Sequence, residues 1–464
     1  MVSTIGDITT ETVNTYSDDL SRWFLGRLTS STVTKTSPSG TEVRHAAFAY
    51  DSSTGLMTGE GTETSNQTLG FWKFYQRDAF GNITQSTVTP ISNSSAERTE
   101  TTTYDAKGRY MTGYTNSMDH SVINTIDQNR GLLTQSKDAN NVITNYTYDS
   151  FGRQTGTSTP ISQTTTTMGW STGMTDAPSY AKYYVRTETT GEPYKLEFFD
   201  CLGRSIRTVT ENALGSKIYV DIVYNTKGQV QKTSEPYFPG STIQWNQNTY
   251  DAAGRLASQT TAGGAVTNFS YDGYNTMTTD ALDHHVVRRT DQYGNLVQTT
   301  DHNGGTINYQ YDLNGHCTQI VGPRTTIRME YNLMGYRTLL DDPDLGQVTS
   351  TYNAFGELVS QTDSQGTTTY TYDKLGRVTR EQRPDVTINS VYDTNYKGAL
   401  TSASTSNGTS VSYQYDAYGR IHTQTDVIGT KIYICACIPV SLRAMCRLTN
   451  VRWRHDATPK VPMW

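Results

Sequence analysis

Long apolar runs are missing from this chain of 464 residues: hydrophobic side chains make up 34%. Nothing approaches the roughly 20 consecutive apolar residues that a membrane-crossing helix needs. The opening Met-Val-Ser-Thr-Ile-Gly-Asp lacks the basic and apolar stretches of a signal peptide. A secreted or cell-surface protein is expected to rely on another export system or on a missing segment. Cysteine is scarce as well, with Cys201 and Cys317 isolated and Cys435, Cys437 and Cys446 near the end, too few for a disulfide framework. Charged residues amount to 18%, the net charge is −6, and no basic patch is dense enough for nucleic acid. A Gly-rich phosphate loop and a nucleophile elbow are both absent, which leaves hydrolysis without a motif. Disorder is excluded in turn, because low charge and 32 Tyr are the reverse of a disordered composition.

What the chain has is punctuation. Tyr, then Asp, two variable residues, Gly and usually Arg recur at Tyr104-Asp105 with Gly108-Arg109, Tyr148-Asp149 with Gly152-Arg153, and Tyr250-Asp251 with Gly254-Arg255. Further copies are Tyr311-Asp312 with Gly315, Tyr372-Asp373 with Gly376-Arg377, and Tyr415-Asp416 with Gly419-Arg420. Starts at 311, 331, 352, 372 and 392 give steps of 20, 21, 20 and 20, the mark of a repeat architecture. Half a period away lie plainer turns such as Thr362-Asp363 with Gly366, and Thr300-Asp301 with Gly304-Gly305.

Each copy reads as strand, tight turn, strand. Thr369-Tyr370-Thr371-Tyr372 alternates β-branched and aromatic residues, which suits a pleated surface and not a helix. Asp373 can accept backbone N–H groups ahead of it, while Gly376 supplies the positive φ that closes a type I turn with a bulge. The strands place Tyr or Phe on one face and Thr, Ser, Asn or Gln on the other, so the sheet is expected to be solvated on both sides. Cross-strand aromatic and Thr pairs would then carry much of its stability. The fold class is all-β: repeated antiparallel hairpins forming a wide, curved wall around a polar space, with no cofactor.

The pattern divides the chain. Residues 1–100 hold degenerate opening repeats, 101–430 the regular segment, and 156–195, with Pro160, Trp170, Pro178 and Pro193, an irregular insertion or corner. Residues 431–464 abandon the repeat and carry six Lys or Arg against one acid, Asp456. Two readings stand, a genuine variable tip or a shifted reading frame, and the second is preferred because so short a piece lacks a core of its own.

Tyr-Asp-x-x-Gly-Arg alternating with Thr-Asp-x-x-Gly over most of residues 40–430 resembles the Rhs/YD-repeat family, which includes bacterial Rhs proteins, toxin-complex B and C components and teneurins. Residues 16–60, with Trp23-Phe24-Leu25-Gly26-Arg27 and Tyr50-Asp51, are similar to the point where toxin-complex B proteins begin their repeats. The resemblance implies a β-strand spiral forming a hollow shell, which in bacterial members encloses a C-terminal toxin that is cut free inside. The closing region with its aspartyl cleavage site has no counterpart after Gly429, and Asp341 to Gly346 sits in phase with an ordinary turn. The expected partners are therefore the remainder of a larger shell and a toxin cargo carried elsewhere.

Other clusters read as bland. Asp283-His284-His285 is the most metal-like, yet adjacent strand residues point to opposite faces, so no metal site is assigned. Asp301-His302-Asn303-Gly304 lacks the alternating ligands and distal Glu of a calcium loop and reads as a turn. Cys435-x-Cys437 has the wrong spacing for a zinc knuckle and is given no function. The function expected is structural and not enzymatic; the alternatives are an adhesin binding carbohydrate or protein through aromatic rows, and a truncated fragment without activity.

Overall fold

The computed structural model describes residues 1–38, 40–438 and 445–449, with side chains as far as 435. It contains 39 strands, each paired antiparallel with the next in the sequence, and no helix among the described residues. The ladder follows from the local chemistry. A β-branched or aromatic run is extended, a Gly at positive φ reverses it, and the short loop leaves only the antiparallel neighbour within reach. Gly152, Gly254 and Gly376 have φ of 83°, 85° and 80°. A register shift beside each Tyr-Asp turn, as between Thr147 and Tyr148 or Thr371 and Tyr372, is the expected bulge.

Both faces meet water, though not to the same extent. In the strand Gly366–Tyr372, Thr367, Thr369 and Thr371 are exposed, while Tyr370 and Tyr372 are half-buried among their neighbours. No second layer covers the sheet along most of its length. Only Leu69, Leu196, Phe198, Ile206, Val209, Tyr219, Met329 and Ala354 are buried apolar residues among those described, so packing within the sheet plane does most of the work.

The exception is the segment read as irregular. Residues 156–195 contain the strands Gln163–Trp170 and Tyr183–Thr189, which keep the ladder, and the loop 171–182 between them folds back over the sheet. Met174, Ala177 and Ala181 cover Leu196, Phe198, Ile206, Val209 and Tyr219, the one compact core cluster among the described residues. Here the ladder also steps: residues 217–221 of the strand Lys217–Tyr224 pair with the preceding strand, and Ile222–Tyr224 with the following one. The strand Lys431–Ile438 still extends the ladder, pairing with Ile421–Ile428. Most of the expectation about the tail lies outside the described residues. Cys201 and Cys317 carry free thiols, and Cys435 is disulfide-bonded.

The ribbon then winds onto itself. The end of the third strand, Phe24–Ser37, meets the turn after the twenty-sixth, where Lys35 Nζ donates to Leu313 O and Asn314 Oδ1, both at 3.2 Å. One circuit therefore takes about 23 strands, or roughly 110 Å at ~4.8 Å per strand, which corresponds to a ring about 35 Å across at the backbone. First and last strands do not pair, so the sheet is an open spiral and not a closed barrel. Because Phe198 is wholly buried, Phe198→Ala should cost about 3 to 5 kcal/mol, and Tyr370→Ala on the half-buried face roughly 1 kcal/mol or less. Urea unfolding followed by tryptophan fluorescence and circular dichroism would measure both.

Candidate functional site

The turn rim is where the repeated side chains converge. Asp149 Oδ1 accepts the backbone N–H groups of Phe151 and Arg153, both at 2.9 Å, while Arg153 Nε donates to Asp149 Oδ2 at 2.6 Å. Asp373 does the same with Leu375, Arg377 and the Arg377 guanidinium at 2.9, 3.0 and 2.7 Å. Asp416 repeats it with Tyr418 and Arg420 at 2.9 and 3.0 Å and the Arg420 guanidinium at 2.6 Å. Asp251 and Arg255 pair at 2.7 Å, and Asp105 and Arg109 at 3.2 Å. Gly108, Gly152, Gly254, Gly315, Gly376 and Gly419 all take positive φ one residue before this partner.

Where the fifth residue changes, its polarity stays matched to the first. His316 lies 2.8 Å from Asp312, and Asn295 donates to Asp291 at 3.0 Å. When the first residue is Asn the roles reverse: Asn353 donates to Glu357 at 2.8 Å, and Asn225 to Gln229 at 3.0 Å. That exchange of donor and acceptor keeps the side-chain contact at these four turns, whereas at Asn332 only the backbone N–H groups of Met334 and Tyr336 are held.

The rim is also linked from repeat to repeat. The hydroxyl of each motif tyrosine donates to a backbone carbonyl of the strand leaving the preceding Tyr-Asp turn. Tyr148 bonds Leu133 at 2.7 Å, Tyr250 bonds Val230 at 2.7 Å, Tyr311 bonds Leu296 at 2.8 Å, Tyr372 bonds Leu358 at 2.7 Å, and Tyr415 bonds Leu400 at 2.8 Å. Tyr104 makes a longer bond to Ile83, at 3.3 Å. The fifth residue lies over the next tyrosine ring, Arg255 at 4.2 Å from Tyr271, Arg377 at 4.4 Å from Tyr392, and His316 at 4.8 Å from Tyr331. Sequence reasoning recognised the tyrosine as the repeat's aromatic and missed the hydroxyl's role; the 20-residue step was the available signal.

A seam joins the two circuits, and it is polar. Arg98 Nη2 pairs with Glu357 Oε1 at 2.6 Å, its guanidinium lying 3.8 Å from the centre of the Phe355 ring. Asn140 and Lys397 exchange two hydrogen bonds of 3.0 and 2.8 Å. His120 Nε2 stands 3.3 Å from Asp393, which Arg377 clamps at 2.9 and 2.6 Å. The Arg377 guanidinium accordingly holds the Asp393 carboxyl below the usual carboxylate range. Asn314 also bonds Glu42, and Tyr293 bonds the Ile5 carbonyl. In each contact a half-period turn or strand end of the first circuit meets Tyr-Asp turns of the second.

Five stretches, 129–160, 250–283, 291–327, 352–385 and 395–429, match the family model of the RHS repeat. Those five stretches are RHS repeats. The same turn geometry at Asp105 and Asp200 extends the repeat outside those stretches. A search of curated proteins returned no match. Among solved structures, TcdB2-TccC3-Cdc42 aligns with 93% of this chain at TM-score 0.76 and 13% identity, and TcdB2-TccC3 with 93% at 0.75 and 14%. The Tc holotoxin pore of Photorhabdus luminescens aligns with 94% at 0.55 and 13%. This RHS-repeat chain spans about a third of the length of those chains, 34%, 31% and 30% respectively. The likeness establishes the fold: an all-β RHS spiral.

The turn carboxylates predict an acid limit. The Arg255 backbone N–H and guanidinium hold Asp251 below the usual carboxylate range, and the Ser53 and Thr54 hydroxyls and N–H groups bring Asp51 down to about 2. At Asp105, Asp149 and Asp416 burial pushes upward, but the N–H groups of the turn outweigh it. A depressed folded value contributes stability above the unfolded value, about 3.9, that is lost as pH falls through the folded one. Melting temperature should therefore stay level from pH 7 to about 5 and fall together for the whole sheet between about pH 4 and 2. A decline already under way at pH 6 would contradict this.

Proposed function

We propose that this chain is one wall segment of an encapsulating shell in a secreted or cell-surface toxin-type protein, shielding a cargo carried elsewhere and performing no chemistry on it. The observation that carries the reading is the seam: a single-layer ribbon closes a circuit onto its own edge through paired turns, which makes a wall around a space instead of a packed body. The Tyr-Asp-x-x-Gly-Arg residues are structural in this reading, each turn setting the next strand. Residues 1–100 begin the wall and 101–430 continue it, while 431–464 depart from the repeat in sequence.

The wall's partner is a further circuit of the same kind of ribbon, seated on the Tyr-Asp edge of the first circuit. At the third turn position, Met334, Phe355 and Leu375 of the second circuit are partly covered. The equivalent Phe80, Phe151 and Leu202 of the first circuit are 63%, 83% and 72% exposed, with Trp170 at 79% beside them. The TccC3-containing complexes resembled by the fold support a larger assembly with toxin cargo.

Phe151→Glu combined with Trp170→Glu should leave the circular dichroism spectrum intact and abolish capture of the adjoining shell portion; undiminished capture would contradict the assignment of this edge. Joined to that portion and its cargo, the chain should keep the cargo uncut by protease, whereas digestion at the rate of free cargo would refute encapsulation. A second reading, an adhesin, has in its favour a groove of about 500 Å³ lined by Phe151, Arg153, Met168, Trp170 and Tyr183. Glycan binding by this chain alone, lost on Trp170→Ala, would select it.

A further inference from the structure

Three histidines meet on the free edge of the second circuit, apart from the seam and from the Tyr-Asp rim. His285 begins the strand His285–Thr290, and carrying the register Val287↔Thr300 outward by two places sets His302 directly across from it. Their Nδ1 atoms lie 3.2 Å apart, and their ring centres 4.9 Å. His284 is the second neighbour, its ring centre also 4.9 Å from that of His302. Strand alternation does not separate His284 from His285, because His284 belongs to the turn: Asp283 before it takes a φ of 67°, and its backbone N–H is accepted by Asp280. The reading of the pair as pointing to opposite faces is corrected on that ground.

Two nitrogens bound to one tetrahedral zinc at about 2.0 Å stand about 3.3 Å apart. The separation between His285 and His302 is already that edge. Among the described residues no three ligand groups are yet arranged around a single point. The third imidazole is an exposed side chain whose Nδ1 rests 3.3 Å from Asp280 Oδ2, a carboxylate suited to orienting it when its other ring nitrogen turns toward His302. We propose that His285 and His302, completed by His284, bind one divalent transition metal of the class that imidazole prefers, zinc foremost, with water in the remaining position. Bound metal would clip the turn 280–284 to the turn 301–305, closing two successive hairpins. This does not depend on the shell reading.

Zinc titrated by calorimetry should bind the chain at one equivalent in the micromolar range, and cobalt at the same site should give the visible absorption of a tetrahedral ion, displaced by zinc. Outer-sphere partners of such sites are worth 10- to 100-fold in affinity, so loss of the bridging ligand in His302→Ala should weaken binding by at least about 100-fold. His422→Ala, an exposed histidine remote from the cluster, should bind as the unaltered chain does, and circular dichroism confirms that each variant is folded. Absence of saturable binding below millimolar metal, or equal affinity in His302→Ala, would overturn the site.

Discussion

A side-chain oxygen that accepts two backbone N–H groups at the head of most Tyr-Asp turns is the contact on which the rest of this molecule rests. Asp149, Asp373 and Asp416 cap their turns with Oδ1 and hold the fifth residue with Oδ2, so a single side chain fixes both the reversal and the direction in which Arg leaves it. At Arg255 and Arg377 that direction places the guanidinium over the next tyrosine, whose hydroxyl returns to the strand behind, whereas Arg153 and Arg420 lie over Phe151 and Tyr418 of their own turns. A sheet with no partner layer has few apolar contacts with which to choose a register, since a one-residue slip is penalised mainly through burial. Here the turns choose it, one hairpin at a time.

Two consequences separate this fold from a sandwich. Stability is spread along the ribbon in small increments, as in other solenoid-like chains, and each repeat depends on its neighbours. It also has one local concentration. The loop 171–182 is pinned by Asp176, which bonds Lys217 and Tyr219 at 2.8 and 2.5 Å, and by its carbonyl to Arg207, which in turn grips Asp221 at 2.6 and 2.7 Å. That network stands where the ladder steps from one neighbour to the next, so the only compact core among the described residues lies at the point where the repeat by itself specifies least. The seam, by contrast, is made of ion pairs and polar hydrogen bonds over separations of 257 to 288 residues, which permits two circuits to touch without merging into one ladder.

Hairpins, turn positions and the alternation of Tyr with Thr were legible in the sequence because each is encoded within five to ten residues. The polarity match at Asn353 and Glu357 was written there too, but its meaning needed the distance. Nothing local announced that Arg98 meets Phe355, or that His302 lies against His285: the first depends on the circumference of the whole spiral, the second on the register of a hairpin whose turn breaks strand alternation at Asp283. The segment 156–195 misled in another way. Its Pro and Trp content suggested irregularity, whereas its strands run in the ladder and only twelve residues fold over it.

Amide hydrogen exchange resolved along the chain tests most directly whether turns and tyrosine links, and not a buried centre, order this sheet. Slow exchange throughout residues 290–428, including the backbone N–H groups of Arg377 and Arg420 inside their turns, is the result this account requires. Protection confined to residues 171–237, with the rest of the ribbon exchanging as fast as an unfolded chain, would contradict it.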